Sequence, residues 1–227
     1  MNPKPPPLSI ALLLMCFAVC SSSAQGSFQN LGFESAVIMP VPGGPAGSVQ
    51  FAPAFPGWAC TVNGQAQSSA LYENLTVTPA LALYGPGSMT LAGNYSAVFQ
   101  ATTLFLPSQV SLFQSGLIPA DTRSLQFLAT SPGGFGDGQF TVSLNGSALN
   151  LSVLQDFGSY SLYGSDITSF AGQNAELRFD HTVAPSGISV LTLDAVNFSP
   201  TAVPEPTAGA LLALGGLAAW CVGRRRR

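Results

Sequence analysis

The chain has 227 residues, of which only 7% are charged, and a formal net charge of −3. Away from the two ends only Arg123 and Arg178 are basic, against nine acids: Glu34, Glu73, Asp121, Asp137, Asp156, Asp166, Glu176, Asp180 and Asp194. That balance excludes nucleic acid as a partner of the main body, because phosphate binding needs clustered Lys and Arg. Solubility there rests on Ser, Thr, Asn, Gln and Gly rather than on charge.

The N-terminus reads as an export signal. Lys4 supplies the positive start, Leu8 to Val19 form an apolar stretch, and Ser22-Ser23-Ala24 offers small residues for cleavage before Gln25. Cys20 does not make a lipoprotein signal, since Val19 stands where a small residue is needed. Residues 1–24 are therefore predicted to form a signal helix, and residues 25–202 one domain long enough to bury a sizeable core. Of the four cysteines, Cys16 and Cys20 fall in the signal and Cys221 in the tail. Cys60 is left without a partner in the domain and reads as a small buried hydrophobe.

The domain reads as β throughout. Strands are predicted at Trp58–Val62, Ala70–Val77, Ser96–Thr103, Gln109–Gln114, Ser124–Thr130, Ala175–Thr182 and Ile188–Phe198, separated by Gly and Pro clusters at Pro40–Gly47, Tyr84–Gly87 and Ser131–Gly138. Gly138 to Asn145 alternates, with Phe140, Val142 and Leu144 on the core face. Asn145-Gly146 supplies a type I′ turn, and Leu149, Leu151 and Val153 continue the alternation on a return strand. Asp166 to Ala171 forms one helical turn capped by Ser165 or Asp166. Gly133 to Gly138 lacks the Lys and Ser/Thr of a phosphate-binding loop and precedes a strand, so it reads as a flexible surface loop; Asp137 there could take a ligand or cation. Many short strands at this spacing predict an all-β, jelly-roll-like β-sandwich.

Candidate chemistry is sparse. His181, the one histidine, shares the parity of Leu177 and Phe179 and reads as partly buried rather than as a zinc ligand or catalytic base. Asp194 shares the parity of Ile188, Val190, Val196 and Phe198. If those face the core, its carboxylate must be paired, hydrogen-bonded or bound to metal. Tyr72, Tyr84, Tyr160 and Tyr163 could stack on sugar rings or simply pack.

The chain ends in three successive parts. Val203-Pro204-Glu205-Pro206 is short and rigid, Thr207 to Gly223 is apolar, and Arg224, Arg225, Arg226 and Arg227 close the sequence. As a helix the apolar part is about 24 Å long at ~1.5 Å per residue, a little short of a ~30 Å bilayer core. The arginines would stop transfer and stay cytoplasmic. Part for part, residues 203–227 resemble the PEP-CTERM sorting signal of Gram-negative bacteria. The resemblance implies a transient inner-membrane stage, an exosortase-type membrane protease as partner, and delivery to the cell surface or an exopolysaccharide matrix.

A second resemblance lies in the domain. Asn30-Leu31-Gly32-Phe33-Glu34, then Pro56-Gly57-Trp58, and Leu193-Asp194-Ala195-Val196 near the end resemble galactose-binding-like carbohydrate-binding modules. By that resemblance Glu34 in a first strand and Asp194 in a last strand would hold a structural calcium ion; the plainer alternative has Asp194 accepting backbone N–H groups. The expected function is a structural or adhesive exported protein with weak glycan binding and no enzymatic activity. The rival is a secreted glycoside hydrolase, which would need two carboxylates about 5 to 10 Å apart in a cleft.

Overall fold

The computed structural model describes residues 26–102, 108–130, 133–135, 138–183 and 187–204. The predicted signal helix, the apolar tail, Glu205, Pro206, Arg224–Arg227 and Asp137 lie outside the described residues. In chain order the strands are β1 Ser48–Gln50, β2 Ala59–Val62, β3 Gln65–Ala66, β4 Ser69–Tyr72, β5 Ala80–Tyr84, β6 Ser96–Thr102, β7 Gln109–Leu117 and β8 Ser124–Ala129. They continue as β9 Gly133–Phe135, β10 Gly138–Leu144, β11 Ser147–Ala148, β12 Ser152–Asp156, β13 Ser161–Asp166, β14 Asn174–Val183 and β15 Ile188–Ser199. The helical content described is one turn, α1 Phe51–Ala54, and a 3-10 turn at Thr168–Phe170.

The strands form two sheets, as the sequence predicts for an all-β sandwich. One runs β1-β4-β5-β6-β15-β8-β13-β12, with β9 beside β15, and the other runs β11-β10-β14-β7-β2-β3. The pairings are antiparallel except β4 with β5. Successive strands cross between the sheets at β6 to β7, β7 to β8 and β14 to β15, so the apolar faces meet in one core. Strand β14 shows the period of two: Ala175, Leu177, Phe179, His181 and Val183 are buried, and the residues between them are not. Phe33, Phe55, Phe99, Phe127 and Phe179 are fully buried. Phe127 meets Phe179 edge-on at 5.5 Å, a geometry that adds about 0.5–1.5 kcal/mol beyond area burial.

Several predicted elements differ. Strand β4 ends at Tyr72 rather than Val77, because Glu73 takes a left-handed φ of 48° and turns the chain. Strand β5 escaped the sequence reading. Its Ala-Leu-Ala-Leu-Tyr is covered on both faces, so it has no polar alternation to detect. The Asn145-Gly146 turn is present, with φ of 48° and 76°, and Val142 and Leu144 are buried while Phe140 is half-buried. The return strand β11 is only two residues long. Leu149 N–H still reaches Val142 O at 2.8 Å, but the chain then changes sheet, and β12 pairs with β13. Val153 is consequently 56% exposed rather than facing the core. Gly133–Phe135, expected in a flexible loop, adds to the edge of β15. The helical turn forms at Thr168–Phe170, and Asp166 Oδ1 accepts Thr168 N–H at 2.8 Å.

Candidate functional site

The segment Asn30–Glu34 is a turn, not the expected opening strand. Asn30 and Phe33 both adopt left-handed φ, at 50° and 61°. Asn30 O accepts Phe33 N–H at 3.1 Å and Trp58 Nε1–H at 3.0 Å, while Asn30 Oδ1 accepts Ser35 N–H at 2.9 Å. The turn drives Phe33 into the core against Phe55 and Trp58, with ring centroids at 6.0 and 5.7 Å. It also swings Glu34 outward over the segment before β6. Glu34 Oε1 accepts Asn94 N–H at 2.8 Å and Tyr95 N–H at 3.1 Å, and Oε2 accepts Asn94 Nδ2–H at 3.0 Å. Gly93, at φ +58°, lets the main chain approach: a Cβ there would stand 2.2 Å from Glu34 Oε1.

Asp194 holds the same segment from beneath. Its Oδ2 accepts Ala92 N–H at 2.9 Å and the Ser96 hydroxyl at 2.6 Å, and Oδ1 accepts Ala195 N–H at 2.6 Å. Ser96 Oγ in turn accepts Leu91 N–H at 3.0 Å. Asp194 is buried, as expected, but it does not face the core. The core face of β15 carries Leu191 and Leu193; Val190 packs on the opposite face with Ala82, Tyr84 and Val98. Asp194 shares that opposite face and is covered by residues 91–96. A bulge between Asp194 and Asn197, with Ala195 at φ 48°, then flips the alternation and returns Val196 to the core. This is why parity with Val196 misplaced Asp194.

Burial pushes the Asp194 carboxyl above its ordinary range, against hydrogen bonds that pull it down and with the Glu34 charge adding to the rise. For Glu34 burial also works upward, but the bonds from Tyr95 and Asn94 together outweigh it and leave the carboxyl below its ordinary range. The two residues do converge, yet the donor set does not fit the expected calcium ion. Five N–H groups and one hydroxyl point at the four carboxylate oxygens. A calcium ion needs six to eight oxygens facing it instead. The arrangement is a double carboxylate clamp on residues 92–96.

The other singled-out residues separate cleanly. Cys60 is buried, and its thiol is pushed up to about 12, so it is an inert core residue. His181 is fully buried rather than partly so, with Nδ1 3.2 Å from Gln139 O and its ring edge-on to Phe99. Tyr84 is buried, Tyr163 stacks on the core ring of Phe127, and the Tyr72 hydroxyl donates to Gly85 O. These three are packing residues. Tyr160 differs: it closes the β12–β13 turn beside Phe157, the rings 4.9 Å apart at 27°, and Phe157 is 46% exposed. The sequence reading passed over Phe157; aromatic residues on both sides of Gly158-Ser159 were the available signal.

At the C-terminal junction, Val203 and Pro204 border a groove of about 320 Å³ shared with Asn150, Ser152, Asp166 and Phe170. Residues 202–227 match the PEP-CTERM protein-sorting motif, so the chain carries that sorting motif, which marks it for export and sorting to the cell surface. No curated protein matches the chain. Among solved structures it is similar to the carbohydrate-binding module TmCBM61 in complex with beta-1,4-galactotriose, at 14% identity and TM-score 0.43, over 76% of this chain and 96% of that one. It is also similar to the family 11 carbohydrate-binding module from Clostridium thermocellum, at 10% identity and TM-score 0.33, over 62% and 87%. A third similarity is to the enzymatically active domain of tailspike protein 4 of bacteriophage CBA120, at 14% identity and TM-score 0.36, over 62% of this chain and 19% of that one. These are weak likenesses of β-sandwich form and carry no argument about ligands.

Proposed function

We propose that this is an exported, jelly-roll-like β-sandwich protein that reaches the cell surface or an exopolysaccharide matrix by way of its tail. An exosortase-type membrane protease recognises Val203-Pro204-Glu205-Pro206 and removes the tail from an inner-membrane intermediate held by Arg224 to Arg227. The observation that carries this reading is the sorting motif at residues 202–227. The mature sandwich then acts as a structural or adhesive element with weak glycan binding, and not as an enzyme. Two observations support that role. Glu34 and Asp194 are engaged in holding main chain, which is a structural use of carboxylates. The paired rings of Phe157 and Tyr160 offer an aromatic surface at a hairpin tip, and aromatic faces suit sugar rings.

The test is binding of the purified residue 25–202 domain to a glycan array and to exopolysaccharide from the producing cell, with release of reducing ends followed in parallel. Retention without hydrolysis, reduced about tenfold by Phe157→Ala, is expected. Turnover of the polysaccharide, or retention that Phe157→Ala leaves unchanged, would refute the role given to the hairpin.

A further inference from the structure

The groove of about 320 Å³ beside Val203 and Pro204 lies at one end of the β12–β13 ribbon, and the Phe157–Tyr160 rings lie at the other. Ser152 opens β12 and lines the groove, while Phe157 follows its last residue, Asp156. From Ser152 to Phe157 the extended chain runs about 15 Å, at ~3.3 Å per residue. The spacing is fixed, because β12 pairs with β13 from Ser152 opposite Gly164 to Asp156 opposite Ser161, and β13 pairs in turn with β8. Val203 braces the groove end against β13. A Cβ on Gly164 would stand 3.1 Å from Val203 Cγ2 and 2.7 Å from Leu154 Cδ1. In the described strand order β12 is the edge of its sheet, and Val153, Gln155 and Phe157 are exposed along it.

We propose that a neutral linear oligosaccharide lies along this edge, with one sugar on the Phe157–Tyr160 rings and another in the groove. This occupancy rests on the glycan-binding role proposed above and adds to it a second subsite, a ligand length and a ligand charge. The groove has the chemistry of a sugar seat. Asn150 offers an amide that both donates and accepts, Ser152 a hydroxyl, and Phe170 a ring. Asp166 Oδ1 accepts Thr168 N–H at 2.8 Å; a carboxylate accepts about four bonds, which leaves places for sugar hydroxyls. The volume falls within the ~300–1,000 Å³ of small-molecule sites. The same lining sets the charge. No Lys or Arg is among the described residues that line it. Bonds from Thr168 hold the Asp166 carboxyl below its ordinary range, so it is ionised at neutral pH and repels uronates. A second copy of the chain fits this edge less well. The register shifts between Val153 and Gln155, and such a bulge breaks the even ladder that an added strand needs. A sugar chain needs no ladder.

Exopolysaccharide from the producing cell, partly hydrolysed and separated by size and charge, supplies the probes for titration of the protein purified from that cell's surface. Neutral hexasaccharides should bind about tenfold or more tighter than neutral disaccharides, because only the longer fragments span both subsites. Asn150→Ala, at an exposed position, removes hydrogen bonds in the groove without touching the core and should weaken hexasaccharide binding about fivefold to tenfold. Phe157→Ala should weaken it by a similar factor, and the double variant should bring hexasaccharides to within about twofold of disaccharides. Hexasaccharide binding that Phe157→Ala weakens and Asn150→Ala leaves unchanged overturns the groove subsite while the hairpin role stands. Absence of binding by any fragment overturns both. Equal affinity for the two sizes, or tighter binding of uronate-containing fragments, also overturns the proposal. So does a concentration-dependent dimer in which the β12 amides are protected from exchange, because a second copy would then hold the edge.

Discussion

Asp194 shows how much one carboxylate can organise. Three donors converge on it, and they lose their acceptor if it is replaced. Asp194→Asn presents an amide N–H to one side of that set and should cost about 2–3 kcal/mol in denaturant unfolding, since a buried group left unsatisfied costs about 1–3 kcal/mol and more where charge is involved. A loss under about 0.5 kcal/mol would mean that the carboxylate is not holding the segment. The same donors fill the place of a cation, so calcium and chelator should give the same thermal midpoint. A rise of several degrees with calcium, as a native-state ligand well above its dissociation constant produces, would contradict the clamp as drawn. His181 gives the pH dependence. Burial holds its pKa below the ordinary 6.5, against main-chain bonds at Ser189 and Gln139 that pull upward. The folded state keeps it neutral while the unfolded state takes up a proton below about 6.5. Its contribution is thus complete above that pH and is lost as pH falls toward the folded pKa. Asp194, with a raised pKa, acts in the opposite sense at lower pH. Unfolding of His181→Leu from pH 8 to 5 should have a flatter slope than wild type; equal slopes would place the sensitivity elsewhere.

At the scale of elements, the β10–β11 hairpin separates what alternation reveals from what it conceals. Leu144 is fully buried and Val153 is exposed, although both sit on the apolar parity of the sequence. Leu144→Ala should cost about 2–5 kcal/mol and Val153→Ala under about 0.5 kcal/mol. Phe140, half-buried, should fall between them. Comparable losses at 144 and 153 would restore the longer hairpin. Strands with one wet face, β10 and β14 among them, were legible because polar residues mark that face. Strand β5 was not legible because a sheet covered on both sides erases the mark. The candidate site was legible in its residues and not in its geometry. Glu34 and Asp194 were singled out, but the turn at Asn30–Glu34 and the bulge at Ala195 arise from left-handed residues that no periodicity announces. Neither Gly93 nor the segment that both carboxylates grip could be found without the fold.

At the scale of the whole molecule, two parts have separate tasks. The sandwich is a sparsely charged body whose Glu34 and Asp194 carboxylates hold its own main chain, and the sorting motif at 202–227 begins where the last described residues pack on β13. If that motif governs the protein's fate, the surface form must differ from the translated chain at its C-terminus. The direct measurement is the intact mass of the protein recovered from the surface of the producing cell, together with its C-terminal peptide. The expected result is a chain lacking the apolar run and Arg224–Arg227; a surface form that still ends in Arg227 would contradict the sorting reading.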